Sequence, residues 1–385
     1  MNTSDHIYVD LNAFNASTSN KNETLLLSER RNGSFLNDAS QYYMTVARFY
    51  LENPRFPVII PTVDLSQSGT PDVNKLIYEV SMEYFNTSTS ATTLVSSRLS
   101  FVPDDLNVSV PTYSSLTTKD FTFNKYYWLY SYDSFLEILN KALKTCFALI
   151  PSSYYTTQNN TIPNVSVAMT DISTHQFVIS AREEFDDSSP TTALNASTNK
   201  KLRLYFNSPL MALFSGFRSI ITSDNRNRVR LYNTGDNFTT SRTVSGITYP
   251  GFIAMLTDIP STNLWNPVQS IVFTSGTIPV SQNLIGANQV FNPPSGFEAS
   301  GSNSNVSPII TDLQIPFEPT NTYRPYIYYT PSPYRLIDLI SNSNLTDLSA
   351  EVFWKDRFGG IHPFELLPFC SVSLKLLFRH KSLGV

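Results

Sequence analysis

Apolar and polar side chains alternate with a period of two along most of this chain. Leu76–Phe85 (LIYEVSMEYF) sets Glu79, Ser81 and Glu83 against Tyr78, Val80, Met82 and Tyr84, the signature of a half-buried strand. Gln41–Leu51 (QYYMTVARFYL) reads the same way, with Tyr43, Thr45, Ala47 and Phe49 opposite Tyr42, Met44, Val46 and Arg48. Shorter strands are predicted at Val58–Pro61, Arg98–Val102, Tyr126–Tyr130, Val165–Met169, Gln176–Ala181 and Lys201–Phe206. They resume at Arg228–Tyr232, Gly251–Leu256 and Ser270–Thr274, then at Ile310–Phe317, Tyr323–Tyr329, Tyr334–Ile340, Leu348–Trp354 and Ser371–Phe378. The last (SVSLKLLF) points Val372, Leu374 and Leu376 inward and Ser371, Ser373 and Lys375 outward.

Two segments break that rhythm. Phe135–Ile150 spaces Phe135, Ile138, Leu139, Ala142, Leu143, Cys146 and Ile150 as one helical stripe, with Asp133 or Ser134 as its cap and Pro151 as its stop. SPLMALFSGF predicts a short helix capped by Ser208, with Pro209 in its first turn and Gly216 as a left-handed terminator. Many short strands with two neighbouring helices and frequent turns describe an all-β protein. The expected fold class is a β-sandwich with an inserted mixed β/α subdomain, a class that includes the jelly-roll β-sandwich. The expected division is an N-terminal arm at 1–35, a first part of the jelly roll at 36–130, an insertion at 131–265 and a second part at 266–385. Asn292–Asn305 (NPPSGFEASGSNSN) reads as a long exposed loop.

Composition sharpens the class. Over 385 residues, charged side chains make up 15% and aromatics 13%, with 24 prolines. Globular domains usually carry about 25% charge; here Asn, Ser, Thr and Tyr take its place, which suits sheets and turns and disfavours helices. A net charge of −4 gives no bulk attraction to nucleic acid or anionic membranes. No apolar run approaches the ~20 residues of a membrane span, and the N-terminus has no basic-then-apolar signal pattern. Asn-x-Ser/Thr triplets, such as those at Asn15, Asn107, Asn164, Asn237 and Asn344, are therefore expected to be unglycosylated. Cys146 and Cys370 are expected as buried free thiols.

Candidate chemistry is sparse. His6, His175, His362 and His380 show no metal-ligand spacing, and no nucleophile elbow or phosphate loop occurs. His175 near Asp171 resembles a base with an orienting acid but lacks a nucleophile. Asp104–Asp105 and the EEFDD run Glu183–Asp187 read as solvated loop charge, and Arg226, Arg228 and Arg230 as a solvated or edge-protecting row. The expectation is no catalytic residue, no cofactor and no metal. Lys375, Arg379 and Lys381, with His380, form a basic C-terminal end that could meet nucleic acid through nonspecific contacts; solvated surface is the plainer reading.

The C-terminal segments ITDLQIP, RPYIYYTPSPYRLIDL, AEVFWKDRFGGIHPFEL and SVSLKLLFRHK resemble penton-type (vertex) minor capsid proteins of virophages and Polinton-like eukaryotic DNA viruses. FLNDASQYYMTVARFYLENPRFPVIIP and the mid-chain YWLYSYDSFLEILNKALKTCFALI are similar in style, so the likeness covers about half the chain. It implies a non-enzymatic structural protein of the virion, made and assembled inside the host cell, with five copies closing a ring at each icosahedral vertex. The implied partners are its own copies, the major capsid protein and other shell proteins, and a host receptor met through the insertion. Two other readings stand beside it: a major capsid subunit with a double jelly roll, and a carbohydrate-binding or host-attachment module using exposed aromatics.

Overall fold

The computed structural model describes residues 5–52, 56–117, 121–155, 163–171, 174–187, 194, 202–231, 241–244, 247–250, 252–281, 283–285, 305–307, 309–313, 326–329, 336–357 and 360–383. In chain order the strands and helices used below are β1 (His6–Phe14), β2 (Leu26–Arg30), β3 (Tyr42–Glu52), β4 (Lys75–Asn86) and β5 (Ala91–Ser100), then α1 (Tyr113–Thr117) and α2 (Tyr132–Ala148). There follow β6 (Val165–Asp171), β7 (Gln176–Arg182), β8 (Leu202–Asn207), α3 (Ser208–Leu213), β9 (Ser219–Ile221), β10 (Arg226–Val229) and β11 (Phe252–Leu256). The rest are β12 (Val268–Thr274), β13 (Ile309–Leu313), β14 (Tyr326–Tyr329), β15 (Ile337–Asp338), β16 (Asp347–Asp356), β17 (Ile361–Pro363) and β18 (Ser371–His380). They divide into two units, Met1–Phe56 with Pro267–Val385, and Pro57–Asn266.

The first unit is a sandwich. One sheet runs β1-β18-β3-β14, with β15 also on β3; the other runs β13-β12-β16-β17, with β2 also on β16. The chain thus visits the sheets in turn: β1 first sheet, β2 second, β3 first, β12 and β13 second, β14 and β15 first, β16 second, β18 first. That winding, with the first and last strands paired, is a jelly roll. Val9, Leu11, Met44, Val46, Phe49, Val372, Leu374 and Leu376 are buried on one sheet, and Leu27, Ile271, Phe273, Ala350, Val352 and Trp354 on the other. Phe49 meets Phe273 edge-on at 4.9 Å, so the two apolar faces close on each other.

Three expectations change here. Residues 1–35 were expected as an arm, yet they supply β1 and β2, whose Val9, Leu11 and Leu27 enter the core; an outward row of Tyr8, Asp10 and Asn12 makes the segment read as polar. The stretch 36–130 divides at Phe56, because β4 and β5 pair with β8 and each other rather than with the jelly roll. The insertion expected at 131–265 is accordingly part of a longer unit that starts at Pro57. Within β3, strict alternation fails: Lys375 faces Arg48 and Leu376 faces Val46, leaving Ala47 as a bulge residue. The bulge returns Phe49 and Leu51 to the same buried face as Met44 and Val46. The loop expected at Asn292–Asn305 lies, Asn305 apart, outside the described residues.

The second unit holds a five-stranded sheet, β9-β10-β8-β4-β5, and a three-stranded sheet, β11-β7-β6. Helix α2 packs on β5, β6 and β4, burying Phe135, Ile138, Leu139, Ala142, Leu143 and Cys146 as its spacing predicts. Its cap is Ser131, whose hydroxyl accepts the Asp133 amide, ahead of the expected Asp133 or Ser134. The α3 cap is Asn207, and Pro209 sits in the first turn. Gly216 is not left-handed; a Cβ there would lie 2.3 Å from the Ile259 carbonyl oxygen, so close backbone approach is what requires glycine. Trp265 anchors the core, stacked on Phe177 at 5.0 Å and donating its indole N–H to the Leu213 carbonyl at 2.6 Å.

Candidate functional site

The outward face of the β1–β18–β3 sheet carries most of the basic C-terminal end. Alternation on β18 turns Ser373, Lys375 and Leu377 away from the core, and the register sets Lys375 between Asp10 of β1 and Arg48 of β3. Lys375 Nζ lies 3.3 Å from Asp10 Oδ2 and 5.6 Å from the centre of the Tyr8 ring. Arg48 Nη2 approaches Asp10 Oδ1 at 3.3 Å and also donates to the Ser373 hydroxyl. Lys381 pairs with Asp338, and its ammonium sits 5.3 Å from the Tyr43 ring. Arg379 lies in register with Tyr43 and His6. Two of the three cations named from sequence therefore each meet a carboxylate of their own sheet, and each has a tyrosine ring beside it. At its edge, Glu52 accepts the Ser371 amide at 2.7 Å; the hydrogen bonds from Ser371 hold that carboxyl below the usual glutamate range.

Charge in the second unit is arranged differently. Glu184, from the EEFDD run, and Arg182 are buried as a bidentate pair with contacts of 3.0 and 3.1 Å. Asp187 faces Arg228 Nε at 3.0 Å. Burial pushes the Asp187 carboxyl up, and Arg228, Arg203 and Arg230 only partly offset it. Arg226 reaches Asp224 at 2.6 Å and Glu79 at 3.9 Å. Asp187 of the acidic run and Arg228 of the arginine row, expected as separate solvated features, instead meet as a buried pair. Strand pairing brings them together, and a single sequence carries no direct signal of it.

The buried histidines have other partners. His175 is buried in the β6–β7 turn with Nδ1 3.0 Å from the Thr262 hydroxyl. The sequence did not single out His362, whose Nε2 lies 2.8 Å from Asp356 Oδ2. Its ring stacks on Trp354 at 4.0 Å, and Asp356 Oδ1 accepts the Gly360 amide, which fixes the β16–β17 turn. Among the described residues no three His, Cys, Asp or Glu side chains gather as a metal site, and no helix is long and apolar enough to cross a membrane. Both cysteines are buried; burial pushes the Cys146 thiol up to about 12.

A sequence model of the family described as Sputnik minor capsid protein V18/19 matches residues 7–380. The chain belongs to that family. Among its virophage capsid relatives is Structural protein V19 of Sputnik virophage, 25% identical over 219 residues, 56% of this chain and 94% of V19. Uncharacterized protein V18 of Sputnik virophage is 28% identical over 114 residues, 29% of this chain and 64% of V18. A chain in the cryo-EM structure of the Sputnik virophage superposes over 100% of both chains with a TM-score of 0.77 and 21% identity. The crystal structure of the mavirus penton protein matches 98% of this chain and 99% of its own, with a TM-score of 0.64 and 16% identity. These structural likenesses show that the fold of this chain recurs in both of those structures. This V18/19-family member is a structural protein of the virus capsid, located in the virion with other shell components.

Proposed function

We propose that five copies of this chain close a ring at the icosahedral vertex, as a penton without catalytic activity. The observation that carries this reading is the match of both units, at nearly full length, to the fold of a penton protein. A closed ring needs a heterologous, head-to-tail interface, with two different patches on each subunit. A sandwich has them: β1 and β2 at one side, β13 and β14 at the other. The neighbours are then the major capsid protein and other shell proteins, with assembly inside the host cell. Contact with packaged nucleic acid is at most nonspecific, since Lys375 and Lys381 already have carboxylate partners. Native mass spectrometry and electron microscopy of the purified chain test the proposal. Pentamers are the expected result; three-fold capsomers would favour the major-shell reading, and a monomer turning over a substrate would overturn the structural one.

A second role, host contact by the insertion, is favoured by one loop. Between β5 and α1, Leu106 is 85% exposed and Val110 62% exposed, an apolar display with no role in the unit's core. Leu106→Ser with Val110→Ser is expected to weaken attachment of the full chain to host cells at least ~10-fold; unchanged attachment would exclude the loop.

A further inference from the structure

We infer that β1 is a ring contact, an edge strand that a second copy of this chain covers. The inference rests on the pentameric reading and names a surface for it.

Strand β1 ends the order of its sheet. It pairs with β18 over its whole length, from His6 opposite Arg379 to Phe14 opposite Ser371, with no shift of register. Natural sheets blunt long open edges with lysine, proline, bulges or short strands. HIYVDLNAF has no lysine, proline or bulge, and its one charged side chain, Asp10, is held by cations of its own sheet. The comparison edges in the same unit are short: β2 and β13 have five residues each. Nine residues of strand extend roughly 30 Å, about the width of a standard interface burying ~800 Å² per partner.

Side chains point the same way. Tyr8, Asp10, Asn12 and Phe14 all face outward, with Tyr8 57% and Phe14 59% exposed. The one carboxylate, Asp10, is held by both Arg48 and Lys375, so the charges of this face are engaged with one another and the cluster keeps a single positive charge. Exposed aromatics beside an arginine suit contact with protein, where Tyr and Arg are enriched. Head-to-tail closure requires that the covering surface differ from β1 itself. The second copy would therefore present its opposite sandwich edge, where β13 lies.

The test uses the full-length chain. Tyr8→Glu combined with Phe14→Glu places two carboxylates on exposed positions, so the melting temperature should stay near that of the parent. The ring should be lost, with its dissociation constant raised at least ~100-fold by sedimentation and native mass spectrometry. Ile221→Glu, at a 77% exposed position of the inserted unit, should leave the ring intact. A double variant that forms rings as the parent does would overturn the inference and leave the pentamer standing. A parent chain that stays monomeric would remove the pentamer and the inference with it. Should the double variant fail to fold, hydrogen exchange on the parent decides. Amides of residues 6–14 gaining protection on assembly support the contact, and unchanged protection overturns it.

Discussion

Among single residues, Asp64 gives the sharpest prediction. Burial alone would raise its carboxyl, but the Ser66 hydroxyl and amide and the Arg98 guanidinium together hold it below the usual aspartate range. A carboxyl depressed on folding contributes stability above its unfolded pKa of ~3.9 and loses it as pH falls through the folded value. Asp64→Asn should therefore cost about 1–3 kcal/mol at pH 7, and the gap between parent and variant should close in acid. Melting curves across pH check this; a gap that persists or widens in acid would refute it. Asp64 also shows what a single sequence hides. Its low pKa comes from partners 2 and 34 positions away, and Asp187 likewise finds its ion-pair partner, Arg228, far along the chain. Charge that looks solvated in the linear text becomes buried and paired once sheets align, and neither EEFDD nor NRNRVR states which strand it will lie beside.

Elements were more legible, because a period of two or of 3.6 is a local property. The α2 stripe and the inward row of β18 follow from spacing alone, and both are buried as read. Boundaries and phase were harder. Asn207 rather than Ser208 caps α3, since its side chain also binds the Glu79 amide and Ile77 carbonyl of β4. The β3 bulge is the clearest case. Read without it, QYYMTVARFYL assigns Phe49 to the face of Tyr43; with Ala47 as the extra residue, Phe49 joins Met44 and Val46. Deleting Ala47 should restore plain alternation and be tolerated within about 1–2 kcal/mol, because every inward residue stays inward. Deleting Tyr50 should turn Leu51 outward and Glu52 inward, at a cost of several kcal/mol, about that of losing a buried leucine. Thermal unfolding of the two deletions decides the matter. Equal damage would mean that the bulge does not set the phase of this strand.

For the whole molecule, the jelly roll was readable from many short alternating segments, but the point where the insertion begins was not. β4 and β5 have the same texture as jelly-roll strands; only their pairing with β8 assigns them to the other unit. The winding around the insertion leads to a last prediction. Every strand of the two sandwich sheets belongs to the first unit, so the roll has no strand missing when Pro57–Asn266 is taken away. The cut ends also lie near each other. Phe56 packs on Trp354 with ring centres 6.4 Å apart, and the Pro267 carbonyl accepts the Arg357 amide at 3.1 Å. Trp354 and Arg357 are three positions apart, at most ~11 Å along the chain. A Gly/Ser linker of about eight residues can therefore join 56 to 267 without strain. The excised chain should stay soluble, keep a β-type circular dichroism spectrum and unfold in one cooperative step. If the ring contacts lie on sandwich edges, it should also still form pentamers. A soluble jelly roll that no longer assembles would move those contacts to the insertion, and a chain without a cooperative melt would mean that the sandwich depends on the unit threaded through it.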